Sequence, residues 1–124
     1  MNRLPCITGG LALIALMGGM AGVARAQTLP TISIQDASVT EQNGGSGIIN
    51  FTVFLSKRST RSISVQIQTS DQTAVSRGSG QTPFDYIESG LQTLSFAAGD
   101  SVKQFAVTFE GDAMDEDNET FRVF

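Results

Sequence analysis

The chain has 124 residues, enough for one small domain, with eight Lys and Arg against twelve Asp and Glu and a net charge of −4. Arg3 and Arg25 lie in the N-terminal segment, so the remainder is more acidic still, which argues against nucleic acid and against charge-driven attachment to anionic lipid. There is no His, and the single Cys is Cys6; from residue 27 onward this excludes zinc sites, disulfides, Ser–His–Asp triads and Cys–His dyads, and leaves carboxylate chemistry and hard cations held by oxygen.

In chain order, Asn2 and Arg3 open a weakly positive stretch, residues 11–23 are apolar and uncharged, and Ala24-Arg25-Ala26 fits a small-residue cleavage pattern. Residues 1–26 read as a signal peptide cut before Gln27, and the product as exported to the periplasm, cell surface or extracellular space. The apolar run is shorter than the roughly 20 residues that span a hydrocarbon core, which weakens the alternative of a retained anchor. Residues 27–31 read as a linker.

From residue 32 the hydrophobic period is two and no long helical pattern appears. Ile32 and Ile34 form a first strand, and Val39 sits in a second. Glycines and polar residues over 42–47 predict a turn, after which Ile49, Phe51, Val53 and Leu55 alternate with Ile48, Asn50, Thr52 and Phe54. Ile63, Val65 and Ile67 mark the next strand. Residues 70–88 read as the longest irregular stretch. Leu94 and Phe96 precede a turn at 97–100, Phe105, Val107 and Phe109 alternate with polar neighbours, an acidic loop covers 110–118, and a last alternating run covers 120–124. About seven short strands with turns every 8–12 residues predict an all-β fold, a two-sheet antiparallel sandwich of immunoglobulin-like shape, without the paired Cys and the Trp of a true immunoglobulin domain. The expected core is Ile34, Phe51, Val53, Ile63, Val65, Ile67, Leu94, Phe96, Phe105, Val107 and Phe121.

Five of the eight residues from Asp112 to Glu119 are acidic, a density that is self-repelling. If the loops at one end of the sandwich converge, Glu41, Asp71, Asp85, Glu88 and Asp112 meet there, and such a set of hard oxygens suits Ca²⁺. A solvated acidic loop that aids solubility is the plainer alternative. Sharper motifs fail. Asp115-Glu116-Asp117-Asn118-Glu119 resembles the start of an EF-hand loop, but Thr120 stands where that loop needs Gly. The glycine clusters at 44–47 and 78–80 open no helix and so cradle no phosphate. A glycosidase needs two carboxylates flanking a sugar cleft, for which a chain this small has little room.

The segments Thr69-Ser70-Asp71-Gln72-Thr73-Ala74, Phe84-Asp85-Tyr86, Leu94-Ser95-Phe96-Ala97-Ala98-Gly99-Asp100 and Glu119-Thr120-Phe121 stand in an order and spacing that resemble the Calx-beta domain family, whose pattern runs T-x-D-G-T-A, S-D-Y, L-x-F-x-x-G-E and E-T-F. Val39-Thr40-Glu41 is similar to its V-x-E, and Phe51-Thr52-Val53-Phe54-Leu55 to its F-x-V-x-L. The resemblance covers residues 32–124. It implies a seven-strand sandwich that binds Ca²⁺ in loops at one end, as in the regulatory domains of sodium–calcium exchangers and in bacterial secreted and surface proteins, where such domains recur in tandem. Carried over by position, it implies a metal site of Glu41, Asp71, Asp85 and Asp112, with Glu88 and Glu116 as further ligands; Glu119 matches another acidic position of the pattern. This sequence departs from the pattern at Gln72 and Phe84, and Gly111-Asp112-Ala113 stands where the richest calcium binders carry consecutive aspartates. The chain also ends within the penultimate strand of that pattern, so the final strand has no counterpart.

The expectation is therefore a non-enzymatic calcium-binding module of an exported or surface protein that serves adhesion or ligand contact through a protein or glycan not named by the sequence, with neighbouring Calx-beta repeats in a longer parent. The alternatives are a structural spacer of the same fold without a working ion site and, more remotely, a carboxylate-dependent hydrolase.

Overall fold

The structure, a computed structural model, describes residues 3–4, 28–41, 43–113 and 116–124. The expected apolar leader segment and its cleavage point lie outside the described residues, as do Met114 and Asp115. The strands are β1 (Arg3–Leu4), β2 (Ile32–Ile34), β3 (Val39–Thr40), β4 (Gly45–Leu55), β5 (Ile63–Ile67), β6 (Thr69–Asp71), β7 (Gln92–Phe96), β8 (Val102–Gly111) and β9 (Phe121–Val123), with one 3-10 turn at Arg77–Ser79.

The long β4–β8 ladder is built by the two most regular alternations in the sequence. Ile49, Phe51, Val53 and Leu55 are buried and face Phe105 and Val107, whereas Ile48, just before them, is 61 % exposed. The pairing is antiparallel, with Phe51 opposite Phe105 and Ile49 opposite Val107. Because side chains alternate strictly between faces, a slip of one residue would turn this whole apolar set to solvent, which fixes the register. β2 adds to the other edge of β4, with Ile32 opposite Leu55.

The second layer centres on β5 and β6. β7 pairs with β5, and β9 pairs with β6. Gln68, between β5 and β6, exchanges both backbone bonds with Phe124 at 2.9 and 3.1 Å, while the next amide, Thr69 N–H, donates to the Ser89 carbonyl. Successive amides of an extended chain point to opposite edges, so β9 and β7 flank the same stretch on its two sides. Val65, Ile67, Phe96, Phe121 and Val123 from this layer meet the β4–β8 face, and Phe121 sets its ring edge-on to Phe51 at 5.8 Å and 81°. The result is the expected all-β sandwich.

Two differences from the sequence reading concern packing. Ile34, Ile63 and Leu94 are only half-buried at the margin of the core; Ile34 lines a cleft of about 230 Å³ open to solvent. Ile32, Ile49, Leu55, Ala74, Tyr86, Phe109 and Val123 complete the core instead. The other difference is that β4 begins inside the predicted turn, because Gly45 to Gly47 pair with Gly111 to Phe109. Gly47 is required there: a Cβ would lie 2.3 Å from Cζ of the buried Phe109 ring. Gly47→Ala is expected to cost about 1–3 kcal/mol by displacing that ring, read as a lower urea midpoint at unchanged slope.

Candidate metal centre

The irregular stretch after β6 is ordered by hydrogen bonds between its own two halves. Residues 75–77 run beside 85–86: Asp85 N–H donates to the Val75 carbonyl at 2.9 Å, Arg77 N–H donates to the Tyr86 carbonyl at 3.0 Å, and Ser76 forms a parallel bridge with Tyr86. Tyr86 also bridges to Phe109, and Glu110 N–H donates to the Asp85 carbonyl at 2.8 Å. Asp85 is thereby fastened beside the end of β8, where Asp112 follows. At the start of β9, Ala74 N–H donates to the Thr120 carbonyl and Thr120 N–H to Thr73 Oγ1, which fixes Glu119 on the same side. Glu41 follows β3.

Carboxylate oxygens of Asp85, Glu116 and Glu119 lie within 4.8 Å of one another, and Asp85 is buried. Glu119 is pushed up to about 8, first by burial, then by its hydrogen bond with Asp85 and by the charges of Asp85, Glu116 and Glu41. A hydrogen bond between two carboxyls requires that one of them hold a proton. Glu41 is pushed up to about 7, first by burial, then by Asp112, Asp85 and Glu116. Glu116 is raised by burial and then by Asp112 and Asp85. Glu41, Asp85, Asp112, Glu116 and Glu119 thus act on one another electrostatically at one end of the sandwich.

The two other residues expected in the site are engaged elsewhere. Asp71, at the end of β6, accepts Ser76 N–H at 3.1 Å and Tyr86 O–H at 2.5 Å on Oδ1, and Ser76 Oγ at 3.1 Å on Oδ2. Glu88 accepts Gly78 N–H at 2.9 Å and holds the 3-10 turn. Glu119 takes part although it stood only as a matching acidic position; the visible signal was its place two residues before Phe121, the first apolar residue of β9. Tyr86 entered the sequence reading only as the last residue of the Phe84-Asp85-Tyr86 segment, with no role of its own.

The donor set is oxygen alone, which suits a hard cation rather than a soft transition metal. Three oxygens within 4.8 Å of one another can share one Ca²⁺, whose bonds run about 2.3–2.6 Å, with backbone carbonyls and water completing six to eight ligands. The chemistry of the residues present therefore fits the ion.

Fold and site together define a class of β-sandwich module with an acidic loop end. The Calx-beta domain family model matches residues 26–124, and the chain belongs to that family, whose domains are non-catalytic and generally bind calcium. No curated protein and no solved structure matches the chain.

Proposed function

We propose that this chain is a Ca²⁺-binding module of an exported protein, with the ion held by Glu41, Asp85, Asp112, Glu116 and Glu119. One observation carries the reading: the charged groups that weigh on Glu41 and Glu119 are themselves carboxylates, three of which, Glu119 with Asp85 and Glu116, converge within one coordination shell. A cation relieves that repulsion in the folded state and has no such site in the unfolded chain. Export is supported by the N-terminal pattern of residues 1–26, and a role in adhesion or ligand contact follows from a non-catalytic module placed outside the cell.

The Asp85–Glu119 hydrogen bond favours a second reading, in which protons rather than an ion quiet the cluster and the module is a spacer. Melting separates the two. At about 5 mM Ca²⁺, roughly five times the weakest constant usual for extracellular modules, binding stabilises by about 1–2 kcal/mol. That is a rise of about 5–15 °C for a domain of this size relative to chelator. Mg²⁺ should give much less, because it demands a tighter octahedron and sheds water reluctantly. Equal melting in Ca²⁺ and chelator would leave the spacer reading.

A further inference from the structure

Both oxygens of the Asp71 carboxylate are engaged within the protein. They take three hydrogen bonds from two buried residues: Ser76, 6 % exposed, and Tyr86, fully buried. The neighbours of those two residues in the chain are Val75 and Asp85, and these are bonded to each other. Val75 N–H donates to Asp85 Oδ2 at 2.5 Å, and the Val75 carbonyl accepts Asp85 N–H at 2.9 Å. Residues 75–76 and 85–86 are therefore locked side by side at two consecutive rungs, one closed by the Asp85 carboxylate and one by the Asp71 carboxylate. The Tyr86 ring, in turn, stacks on Phe121 at 4.2 Å and 13°. Phe121 is two residues beyond Glu119.

From this we infer that Asp71 is a positioning residue of the calcium site: with Ser76 and Tyr86 it forms a clamp that fixes the Asp85 carboxylate and, through the Tyr86–Phe121 stack, the start of β9 that carries Glu119. The inference rests on the proposed calcium site and assigns Asp71 a role outside the coordination shell. The Val75 N–H bond to Oδ2 sets the orientation of the Asp85 carboxylate, which meets Glu116 and Glu119 within 4.8 Å. If the Asp71 rung opens, Tyr86 and Ser76 lose their common acceptor, the two segments shift against each other, and Asp85 loses its fixed orientation. Groups that orient a metal ligand without touching the metal commonly change affinity by about 10–100-fold when removed.

The test is Ca²⁺ titration calorimetry on Tyr86→Phe, Ser76→Ala and Ser76→Thr, at a temperature where circular dichroism shows each variant fully folded. Tyr86→Phe keeps the stacked ring and deletes only the hydroxyl that donates to Asp71; Ser76→Ala deletes the second donor. Each should weaken Ca²⁺ binding about tenfold, and Ser76→Thr, which restores a hydroxyl, should return it to near the parent value. Variants that melt earlier in chelator yet bind Ca²⁺ as tightly as the parent would overturn the inference and leave Asp71 a purely structural residue. Loss of binding in Asp71→Asn alone, with Tyr86→Phe and Ser76→Ala unaffected, would also overturn it, by making Asp71 a ligand. A parent protein that takes up no Ca²⁺ would overturn the site itself, an outcome read before any variant is compared.

Discussion

Phe121→Ala is expected to cost about 3–5 kcal/mol, the range for deleting a buried aromatic ring. Phe121 is 2 % exposed and joins three parts of the molecule: it pairs opposite Asp71 in β9–β6, stacks on Tyr86, and meets Phe51 of the facing sheet edge-on. The void would open between the layers, where the backbone ladders on both sides limit collapse, so the cavity cost adds to the lost burial. Small domains hold only about 5–15 kcal/mol in total, so the variant should be marginal or unfolded near 37 °C. Urea unfolding reads this directly, with Ile48→Ala as the control: Ile48 lies on the same β4 ladder but is 61 % exposed, and its loss should stay within about 0.5 kcal/mol.

The second large effect is on pH. In the ion-free folded state, Glu41 and Glu119 are pushed up to about 7 and about 8 from the ordinary carboxyl value of 4.5. Between about pH 4.5 and 8 the folded chain therefore holds protons that the unfolded chain has released, and stability falls as pH rises through that window. This is the reverse of the ordinary acid-labile pattern. Asp100, whose carboxyl is lowered by its hydrogen bond to Lys103, has the ordinary sign: it stabilises above the unfolded value of 3.8 and is lost as pH falls, outside the window. Melting in chelator should accordingly decline from pH 5 to pH 8.5. Saturating Ca²⁺ should flatten or reverse the decline, since the ion binds the ionised carboxylates. Glu119→Gln should make the chelator curve shallower without any ion, leaving the part that Glu41 contributes. A chelator curve that rises across the window would contradict the raised values.

What the sequence made legible follows from what repeats. The alternation of Ile49, Phe51, Val53 and Leu55, and that of Phe105, Val107 and Phe109, defined two strands and their buried faces, and the structure pairs them. Glycine carries no hydrophobic signal, so the extension of β4 back to Gly45 was hidden; only the Phe109 ring over Gly47 explains it. Residues 70–88 have no period at all. Their order comes from side-chain bonds that span ten or fifteen residues, Asp85 to Val75 and Asp71 to Tyr86. The acidic density over 112–119 was plain in composition, but which carboxylates converge depends on how β8 and β9 frame that loop. For that reason Glu88, which accepts Gly78 N–H in the 3-10 turn, and Glu119, which joins Asp85, could not be told apart by charge.

The central claim is that Ca²⁺ displaces protons from this carboxylate cluster. The most direct measurement is Ca²⁺ titration calorimetry near pH 6.5 in two buffers of different ionisation heat, which counts the protons released per ion bound. The account predicts binding with release of about one proton or more, from Glu41 and from the Asp85–Glu119 pair, with release vanishing in Glu119→Gln combined with Glu41→Gln. Binding heat that is the same in both buffers would place the ion on other groups, and the absence of any binding heat would mean that the cluster holds no calcium.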